Sequence, residues 1–399
     1  MNLLHEDILQ RYANVLVNFA LNDGQGIKKG DVVYIVSQTP GMPLVKEVYR
    51  AILKSGGFPL FQLQDDDLKL IHLQEGSNEQ LSFFPDKFYR GVADSIDHYV
   101  RILAEDDPLF LSQADPRKVL LASNSTKKYR EWLDEKEDAG KFTWTLCLYG
   151  TEGAAREAHM SLEQYREQIY QACFLYEDDP VAKWRSVFST IQTIQNVLND
   201  LPISKVHVEA KDTDLWVSLG EKRKWLGGRG RNIPSFEIFT SPDWRGVEGR
   251  IYFDLPLYRY GNIIEDIHLE IRDGRIVTAT AAKNENLLRE MISQRNADKI
   301  GEFSLTDKRF SRINRFMANT LFDENFGGEY GNTHLAVGKA YHDACTADTR
   351  TMTDKDFEAL GYNDSPEHSD IVATGDRVVT AHLKDGSKKV IYEGGEFRV

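Results

Sequence analysis

The feature that most constrains the fold is a change of residue pattern near residue 200. Before it, β-branched runs alternate with helical spacing, as in DVVYIV, PLVKEVYRAILKSG and PLFQL; after it, period-2 strands such as KVHVEA and DLWVSL follow one another. The first pattern predicts a parallel sheet covered by helices, and the second predicts antiparallel pairing. We therefore expect an α/β protein. Residues 1–200 should form a doubly wound, mostly parallel domain, and residues 201–399 an α+β domain with a mixed or antiparallel sheet.

Several shorter segments refine this expectation. KVLLAS is interpreted as a further strand of the first half, followed by a helix from Lys127 to Glu137 and then the strand TWTLCLY. Amphipathic spacing predicts helices over 161–174 and 180–200. In the second half, the dipeptides Asp273-Gly274 and Asp385-Gly386 stand between strand-like runs and predict hairpins. A chain of 399 residues is long enough for two domains, each with its own core.

Composition excludes several classes of protein. The 62 acidic and 49 basic residues give a net charge of −13, which disfavours nucleic acid as a partner. No window approaches the roughly 18 apolar residues of a membrane span, and Glu6 and Asp7 stand where a secretory signal carries positive charge. Three widely spaced cysteines without a CxxC motif argue against disulfides and thiolate zinc sites. We expect a cytoplasmic protein.

The first half carries few residues that can act together. Each of its four histidines lacks a partner at ligand spacing, and no GxGxxG or GxxxxGK[ST] motif follows a strand. These histidines are His5, His72, His98 and His159. A scaffolding role is therefore expected for this half of the chain.

The first candidate metal-binding motif is EHSD, which contains His368 and Asp370. If the following IVAT begins a strand, both side chains project from one face. A nitrogen and an oxygen donor together suit zinc, cobalt or manganese better than calcium. A surface strand end accounts for the same spacing.

A second candidate is NTHLAVGKAY, with His334 and Tyr341 seven residues apart. If the run is helical, the two side chains share a face, about 10 Å apart along the axis. A tyrosine there can donate a hydrogen bond to a developing oxyanion. A core histidine beside a packing tyrosine is the alternative.

Two glutamates stand between apolar neighbours on predicted strands. They are Glu237 in SFEIF and Glu302 in GEFSL. Each is either a ligand or an outward-pointing surface residue, because strand alternation permits both.

From about Arg223 onward the chain resembles the thermophilic-type metallo-aminopeptidases, the AmpS, AmpT and PepS group. The matching segments occur in the same order: RKWLGGRGRNIPSFEIFTSPDWRGVEG, RNADKIGEFSLTDKRFSRI, TLFDEN, GNTHLAVGKAYHDA and LGYNDSPEHSDIV. Several ordered segments are far more specific than any single H-x-D pair.

The resemblance implies a set of site residues. The metal ligands of the family fall on Glu237, Glu302, His334, His368 and Asp370. The catalytic tyrosine falls on Tyr341, Glu302 is expected to bridge two metal ions, and Glu324 in FDEN is expected to act as general base or as a group supporting the ligands.

The resemblance further implies two divalent ions per subunit, zinc first, with cobalt, manganese or magnesium as alternatives. The substrates would be peptides with a free N-terminus. A homodimer is expected, in which the N-terminal half of one subunit helps to close the cleft of the other. Two other functions stay open: a different dinuclear hydrolase acting on amides or phosphate esters, and a non-catalytic ligand-binding protein that the metals stabilise.

Overall fold

The computed structural model describes residues 5–228, 230–259 and 261–399, which divide into two compact units. The N-terminal unit comprises Met1–Ser186 and Arg229–Pro234. The C-terminal unit comprises Val187–Gly228 and Ser235–Val399.

The N-terminal unit is built on a parallel sheet with the strand order β2-β1-β3-β4-β8. Its strands are β1 (Val32–Gln38), β2 (Phe58–Gln64), β3 (His98–Leu103), β4 (Thr143–Leu148) and β8 (Asn232–Ile233). Its helices are α1 (His5–Val15), α2 (Met42–Lys54), α3 (Asp66–Glu75), α4 (Asn78–Ser82), α5 (Asp86–Ser95), α6 (Pro116–Ser125), α7 (Lys127–Asp138), α8 (Glu152–Glu157) and α9 (Leu162–Ala172). Helix α10 (Pro180–Asp200) begins in this unit and ends in the other. The expected parallel sheet with helices is confirmed.

One strand prediction in this unit is wrong. The run KVLLAS lies inside helix α6, whose first turn is capped by Asp115 and begins with Pro116. An Asp-Pro pair is a strong helix start, and it prevails over the short apolar run. The strand next to β4 in the sheet is instead β3, in which buried and half-buried residues alternate.

The C-terminal unit contains two antiparallel sheets and a short hairpin. One sheet has the strand order β14-β13-β10-β6-β5-β18-β19-β20, the other has the order β17-β16-β15-β9-β7, and β11 pairs with β12. The strands are β5 (Ile203–Ala210), β6 (Thr213–Ser218), β7 (Leu226–Gly227), β9 (Glu237–Thr240), β10 (Val247–Phe253), β11 (Leu257–Arg259), β12 (Asn262–Ile264), β13 (Ile267–Arg272), β14 (Arg275–Thr280), β15 (Ile300–Thr306), β16 (Asn332–Gly338), β17 (His368–Ala373), β18 (Arg377–Leu383), β19 (Lys388–Glu393) and β20 (Glu396–Phe397). The helices are α11 (Glu285–Ser293), α12 (Thr320–Asp323) and α13 (Asp354–Ala359). This confirms the expected α+β fold.

Both predicted hairpins are present, because Asp273-Gly274 joins β13 to β14 and the turn at Gly386 joins β18 to β19. The helical interpretation of NTHLAVGKAY is wrong. Its apolar run is strand β16, in which every residue from Asn332 to Gly338 is buried. A strand buried on both faces loses the polar alternation that marks most strands, so its sequence resembles that of a buried helix.

Within the described residues, no helix has both the length and the apolar character needed to cross a membrane.

Candidate metal centre

The register of the smaller antiparallel sheet brings the predicted residues to one face. Ser304 on β15 lies opposite His334 on β16, and Glu302 shares the face of Ser304 because it is two residues away. The next pairing places Asp370 opposite Ala336 and His368 opposite Gly338, both of which share the face of His334. Glu237 lies opposite Thr306, which is also on this face. Four adjacent strands therefore present all five predicted ligands together.

The donor atoms are close enough to bind a common ion. Nε2 of His334 lies 3.1 Å from Oε1 of Glu302 and 3.4 Å from Oε2 of Glu237. One donor atom from each of these three residues lies within 4.8 Å of the other two. Oδ1 of Asp370 lies 3.9 Å from Nε2 of His334 and 3.5 Å from Nε2 of His368. Asp370 thus connects the three-residue cluster to the second imidazole.

Backbone carbonyl groups orient both imidazoles. Nδ1 of His334 lies 3.2 Å from the carbonyl oxygen of Glu324, and Nδ1 of His368 lies 2.9 Å from that of Lys339. Because a carbonyl can only accept, each Nδ1 donates its proton to the carbonyl oxygen, and each Nε2 faces the carboxylates. Hydrogen bonds of this kind hold most metal-binding histidines in protein structures.

The carboxylates are buried together and repel one another. Burial raises the pKa of Glu237 to about 8, and the nearby charge of Glu302 adds to the shift. Burial likewise raises the pKa of Glu302 and raises that of Glu324 well above its usual range. Asp370 behaves differently because His368 and His334 outweigh the effect of burial and lower its pKa to about 2. So much buried negative charge needs a cationic partner.

The imidazoles respond to the same charges. Burial by itself lowers the pKa of His334, but the hydrogen bond to Glu302 and the charges of Asp370 and Glu237 prevail and raise it to about 9. For His368, burial is likewise outweighed, chiefly by Asp370, and the pKa rises to about 9. A bound cation would have to displace these protons.

Tyr341 and Glu324 border the cluster from loops. The ring of Tyr341 lies between Phe239 on β9 and His368, with ring centroids 6.1 and 4.8 Å apart respectively. Burial and the surrounding carboxylates raise the pKa of Tyr341, so that the phenol keeps its proton. Glu324 follows α12, is buried, and accepts a hydrogen bond from Nδ2 of Asn325 at Oε1, 3.3 Å away.

The chemistry of the donors fits divalent transition metals. Two imidazole nitrogens and three carboxylates, all facing one side of a sheet, are the mixed nitrogen and oxygen set that zinc, cobalt and manganese accept.

Comparison with known proteins also points to a metal-dependent protein. The family model described as Thermophilic metalloprotease (M29) matches residues 5–397. This chain belongs to the M29 family. Membership in a metalloprotease family implies a divalent metal cofactor.

Relatives in the M29 family match over almost the whole chain. Aminopeptidase T from Thermus thermophilus is 26% identical over 416 residues, which cover 98% of this chain and 100% of the relative. Aminopeptidase AmpS from Bacillus subtilis is 25% identical over 418 residues, covering 98% of this chain and 99% of that protein. The solved structure of wild-type AmpT from Thermus thermophilus superimposes with a TM-score of 0.84 at 24% identity, covering 99% of this chain and 100% of that one, and thus has the same fold.

Several polar residues bordering the M29 site were missed in the sequence. Glu367 is buried, and its carboxylate accepts hydrogen bonds from Nη2 of Arg259 at 2.6 Å and from Nε2 of Gln294 at 3.2 Å. Ser241 accepts a hydrogen bond from the backbone N–H of Tyr341. A signal for Ser241 existed, because Glu237, Phe239 and Ser241 are spaced two residues apart and so share one side of an extended segment.

Other acidic and histidine residues near the motifs have different partners. The side chain of Asp323 accepts hydrogen bonds from the N–H groups of Met317 and Asn319 and so caps the segment that leads into α12. The ring of His342 stacks on Phe357 with centroids 3.5 Å apart.

The histidines set aside in the N-terminal half also have other contacts. Nε2 of His98 lies 2.9 Å from Oδ2 of Asp31, and Nδ1 of His5 lies 3.0 Å from the hydroxyl of Tyr170.

Proposed function

We propose that this protein is a metallo-aminopeptidase, a hydrolase that removes N-terminal residues from peptides with the help of two divalent ions. The observation that carries the proposal is the convergence of Glu237, Glu302 and His334, with Asp370 and His368 beside them, on one face of the sheet. The relatives named aminopeptidase support the reaction class.

We assign the metal ligands to Glu237, Glu302, His334, His368 and Asp370. Glu302 is our choice for the bridging carboxylate, because its oxygen lies nearest to Nε2 of His334 and the side chain is 3% exposed. When bound, divalent ions lower the pKa of water and polarise the scissile carbonyl. Zinc is the first candidate, and cobalt, manganese and magnesium are alternatives.

Charge balance supports two ions. Four acidic side chains, Glu237, Glu302, Glu324 and Asp370, influence one another inside the same buried region. Two divalent ions would neutralise four carboxylates, whereas one would leave two buried charges to be offset by imidazolium groups. An uncompensated buried charge is costly.

Tyr341 serves as the oxyanion donor in this proposal. Its phenol keeps its proton over the neutral pH range, and its ring packs against a ligand imidazole, so the hydroxyl is available to a substrate carbonyl at the metal centre. A donor held in advance at the point where charge develops stabilises the transition state.

Glu324 serves as the general base. Its raised pKa and its burial next to the ligands suit a group that takes a proton from water and passes it to the leaving amine.

We retain the wider expectations as part of the proposal. Residues 1–200 would act as scaffold and in dimerisation and cleft closure, residues 201–399 would carry the chemistry, and the protein would work as a cytoplasmic homodimer. The three cysteines are buried and free of disulfides, as suits a reducing compartment.

The reaction can be tested with three chromogenic substrates. The metal-loaded protein is incubated with leucine p-nitroanilide, N-acetyl-leucine p-nitroanilide and p-nitrophenyl phosphate. We expect cleavage of the first alone, because the second has no free α-amino group. Equal cleavage of the blocked amide would indicate an amidohydrolase, and cleavage of the third a phosphoesterase.

Metal identity and number can be tested separately. Anomalous scattering at the zinc and cobalt edges should locate two ions on the five ligands. Chelation should abolish hydrolysis and lower the melting temperature; if it only lowers the melting temperature of a protein that never hydrolysed anything, the metals merely stabilise the fold.

A further inference from the structure

The position of Tyr341 depends on one serine hydroxyl. Tyr341 follows strand β16 in a loop, residues 339–345, which we call the tyrosine loop. The backbone N–H of Tyr341 donates to Oγ of Ser241 over 2.9 Å. Ser241 is fully buried. We propose that Ser241 is the positioning residue for Tyr341: its hydroxyl fixes the backbone from which the phenol projects toward the metal ligands. This inference rests on the proposed function.

The serine lies on the same segment as a predicted ligand. Glu237 begins strand β9, and Phe239 and Ser241 follow at intervals of two residues. The ring of Phe239 makes a T-shaped contact with the ring of Tyr341, while Ser241 holds its backbone. One short segment therefore presents a metal-binding carboxylate, one wall for the tyrosine ring and the anchor of the tyrosine loop. The phenol and the ligand are thereby held in a common frame.

Ser241 is itself held in place from the other side. Nε of Arg223 donates to the carbonyl oxygen of Ser241 over 2.5 Å, and its Nη2 donates to the carbonyl of Leu360 over 2.8 Å. The guanidinium group lies 3.5 Å from the ring centroid of Tyr362. Such a cation–π contact adds to the hydrogen bonds. Arg223 thus keeps the backbone of Ser241 from moving.

Both ends of the tyrosine loop are attached as well. At its start, the N–H of Lys339 donates to the carbonyl of Glu367 and that of Ala340 to the carbonyl of Asn363, each over 2.8 Å. At its end, Arg223 and Cys345 form a β-bridge. Between these attachments, the N–H of Tyr341 donates to Ser241, while its carbonyl accepts the N–H of Ala344 from within the same loop over 3.3 Å. Tyr341 is 40% exposed, so packing alone restrains it less than a buried residue.

Loss of the hydroxyl should therefore misplace the phenol without disturbing the ligands. A shift of about 1 Å at a catalytic group can cost on the order of a hundredfold in rate. We expect Ser241→Ala to lower kcat on leucine p-nitroanilide by roughly ten- to a hundredfold. KM and metal content should be unchanged, because Ser241 contacts neither substrate nor metal in this proposal.

Two further variants separate positioning from packing. Ser241→Cys keeps the side chain nearly the same size but replaces a strong acceptor by a weak one, so kcat should again fall. Ser204→Ala is the matched control, because the hydroxyl of Ser204 also makes a hydrogen bond to the backbone, here as donor to the carbonyl of His382 in the other sheet of this unit. It should leave kcat unchanged.

A double-mutant cycle gives the decisive kinetic readout. If Ser241 acts through the phenol, Ser241→Ala should cost little in a Tyr341→Phe background, because the group it positions is already absent. An equal loss in both backgrounds would mean that Ser241 acts on something other than Tyr341 and would overturn the proposal. Wild-type kcat in Ser241→Ala or Ser241→Cys would overturn it too.

Hydrogen exchange gives a readout that does not depend on activity. In the full-length metal-loaded protein, the peptide that contains residues 339–345 should exchange faster in Ser241→Ala than in wild type or Ser204→Ala. Unchanged exchange would refute the anchoring role even if the enzyme is active. Faster exchange in a protein without any aminopeptidase activity would refute the proposed function and leave the anchor standing.

Discussion

The two antiparallel sheets of the C-terminal unit place histidine in opposite environments. In the larger sheet, buried positions alternate with more exposed ones, and His207, His268 and His382 lie on the exposed side. There the imidazole rings pack on aromatic neighbours, as His207 does on Trp216 with centroids 4.0 Å apart. In the smaller sheet, β15 and β16 are buried along their whole length, and His334 is enclosed by carboxylates.

The difference follows from what each environment requires. A histidine on a half-exposed face finds its polar partners among solvent-exposed side chains, as His207 does with Asp214 over 2.7 Å. A histidine on a strand that is buried on both faces needs a hydrogen bond or an opposite charge for each of its polar atoms. Whether the strand is buried on both faces therefore distinguishes a candidate metal ligand from a surface residue better than the residue type does.

The largest expected effect comes from removing the enclosed imidazole. His334→Gln should abolish metal binding at the three-residue cluster and, with it, all measurable aminopeptidase activity, because Nε2 of His334 is the atom on which the cluster converges. The matched variant His207→Gln in the larger sheet should leave both unchanged. The two variants are compared by their metal content, measured by mass spectrometry, and by their hydrolysis of leucine p-nitroanilide. Equal metal loss in both variants would contradict the prediction.

The next effect concerns the tyrosines of the two regions. Tyr341→Phe should lower kcat by about a hundredfold or more, the usual cost of losing one oxyanion donor, while metal content stays intact. Tyr252→Phe removes a hydroxyl that bonds Asp266 at 2.7 Å in the larger sheet. That control should retain the wild-type kcat; a Tyr341→Phe enzyme that is equally active would remove Tyr341 from the chemistry.

A smaller effect is expected in the pH dependence of stability without metal. The pKa of His334 and His368 rises from 6.5 to about 9, and that of Glu237 rises from 4.5 to about 8. A group whose pKa is higher in the folded than in the unfolded chain stabilises the fold at low pH and loses that contribution as pH rises through the folded value. The stability of the metal-free protein should therefore fall as pH rises, between 4.5 and about 8 because of Glu237 and between 6.5 and about 9 because of the two histidines, by on the order of a few kcal/mol.

The lowered pKa of Asp370 does not alter this sign. Its contribution is present above its ordinary pKa of 3.8 and disappears only as pH falls toward about 2, outside the window. Thermal melts in a chelating buffer should show the decline, and melts with saturating zinc should show much less of it, since the cation replaces the protons. A melting temperature of the metal-free protein that is flat or rising from pH 6.5 to 9 would contradict the charge picture of the site.

The smallest expected difference in stability is between substitutions of two glycines, one beside each sheet. Gly331, before β16, has φ +59°, and an added Cβ would lie 2.1 Å from the hydroxyl of Tyr392 and 2.2 Å from the carbonyl of Thr306. Gly386, in the β18–β19 turn, has φ +87° and open space around it. Gly386→Ala should cost about 1–2 kcal/mol of backbone strain, and Gly331→Ala that strain plus about 1–3 kcal/mol for the contacts. Urea unfolding measures both, and equal losses would refute the tighter packing beside the smaller sheet.

The same contrast explains how far the sequence predicts the structure. Strands with one exposed face were recognised from alternation, as were both Asp-Gly hairpins. Alternation fails for β16, because both faces are buried and the run reads as a helix. The strand prediction for KVLLAS is also wrong, because Asp115 and Pro116 start helix α6 and the apolar run continues it.

Local patterns predicted parts of the site but not its assembly. His368 and Asp370 were placed on one strand face by their spacing, and β17 confirms that placement. Glu237 and His334 are nearly a hundred residues apart in the sequence, and they meet only because β15 pairs with both β9 and β16, which no local signal encodes. The family resemblance supplied that connection, while the anchoring of Tyr341 by Ser241 became visible only with the strands in register.

The four strands that carry the proposed metal ligands are also synthesised at different times. Glu237 lies on an early strand of the smaller sheet, β9, whereas Asp370 lies on the strand of that sheet that is synthesised last, β17. A nascent chain interrupted anywhere before Asp370 holds an incomplete donor set, and an extended unfolded chain holds the donors far apart. On the proposed ligand assignment, a chain in which this sheet is incomplete would therefore lack hydrolytic activity.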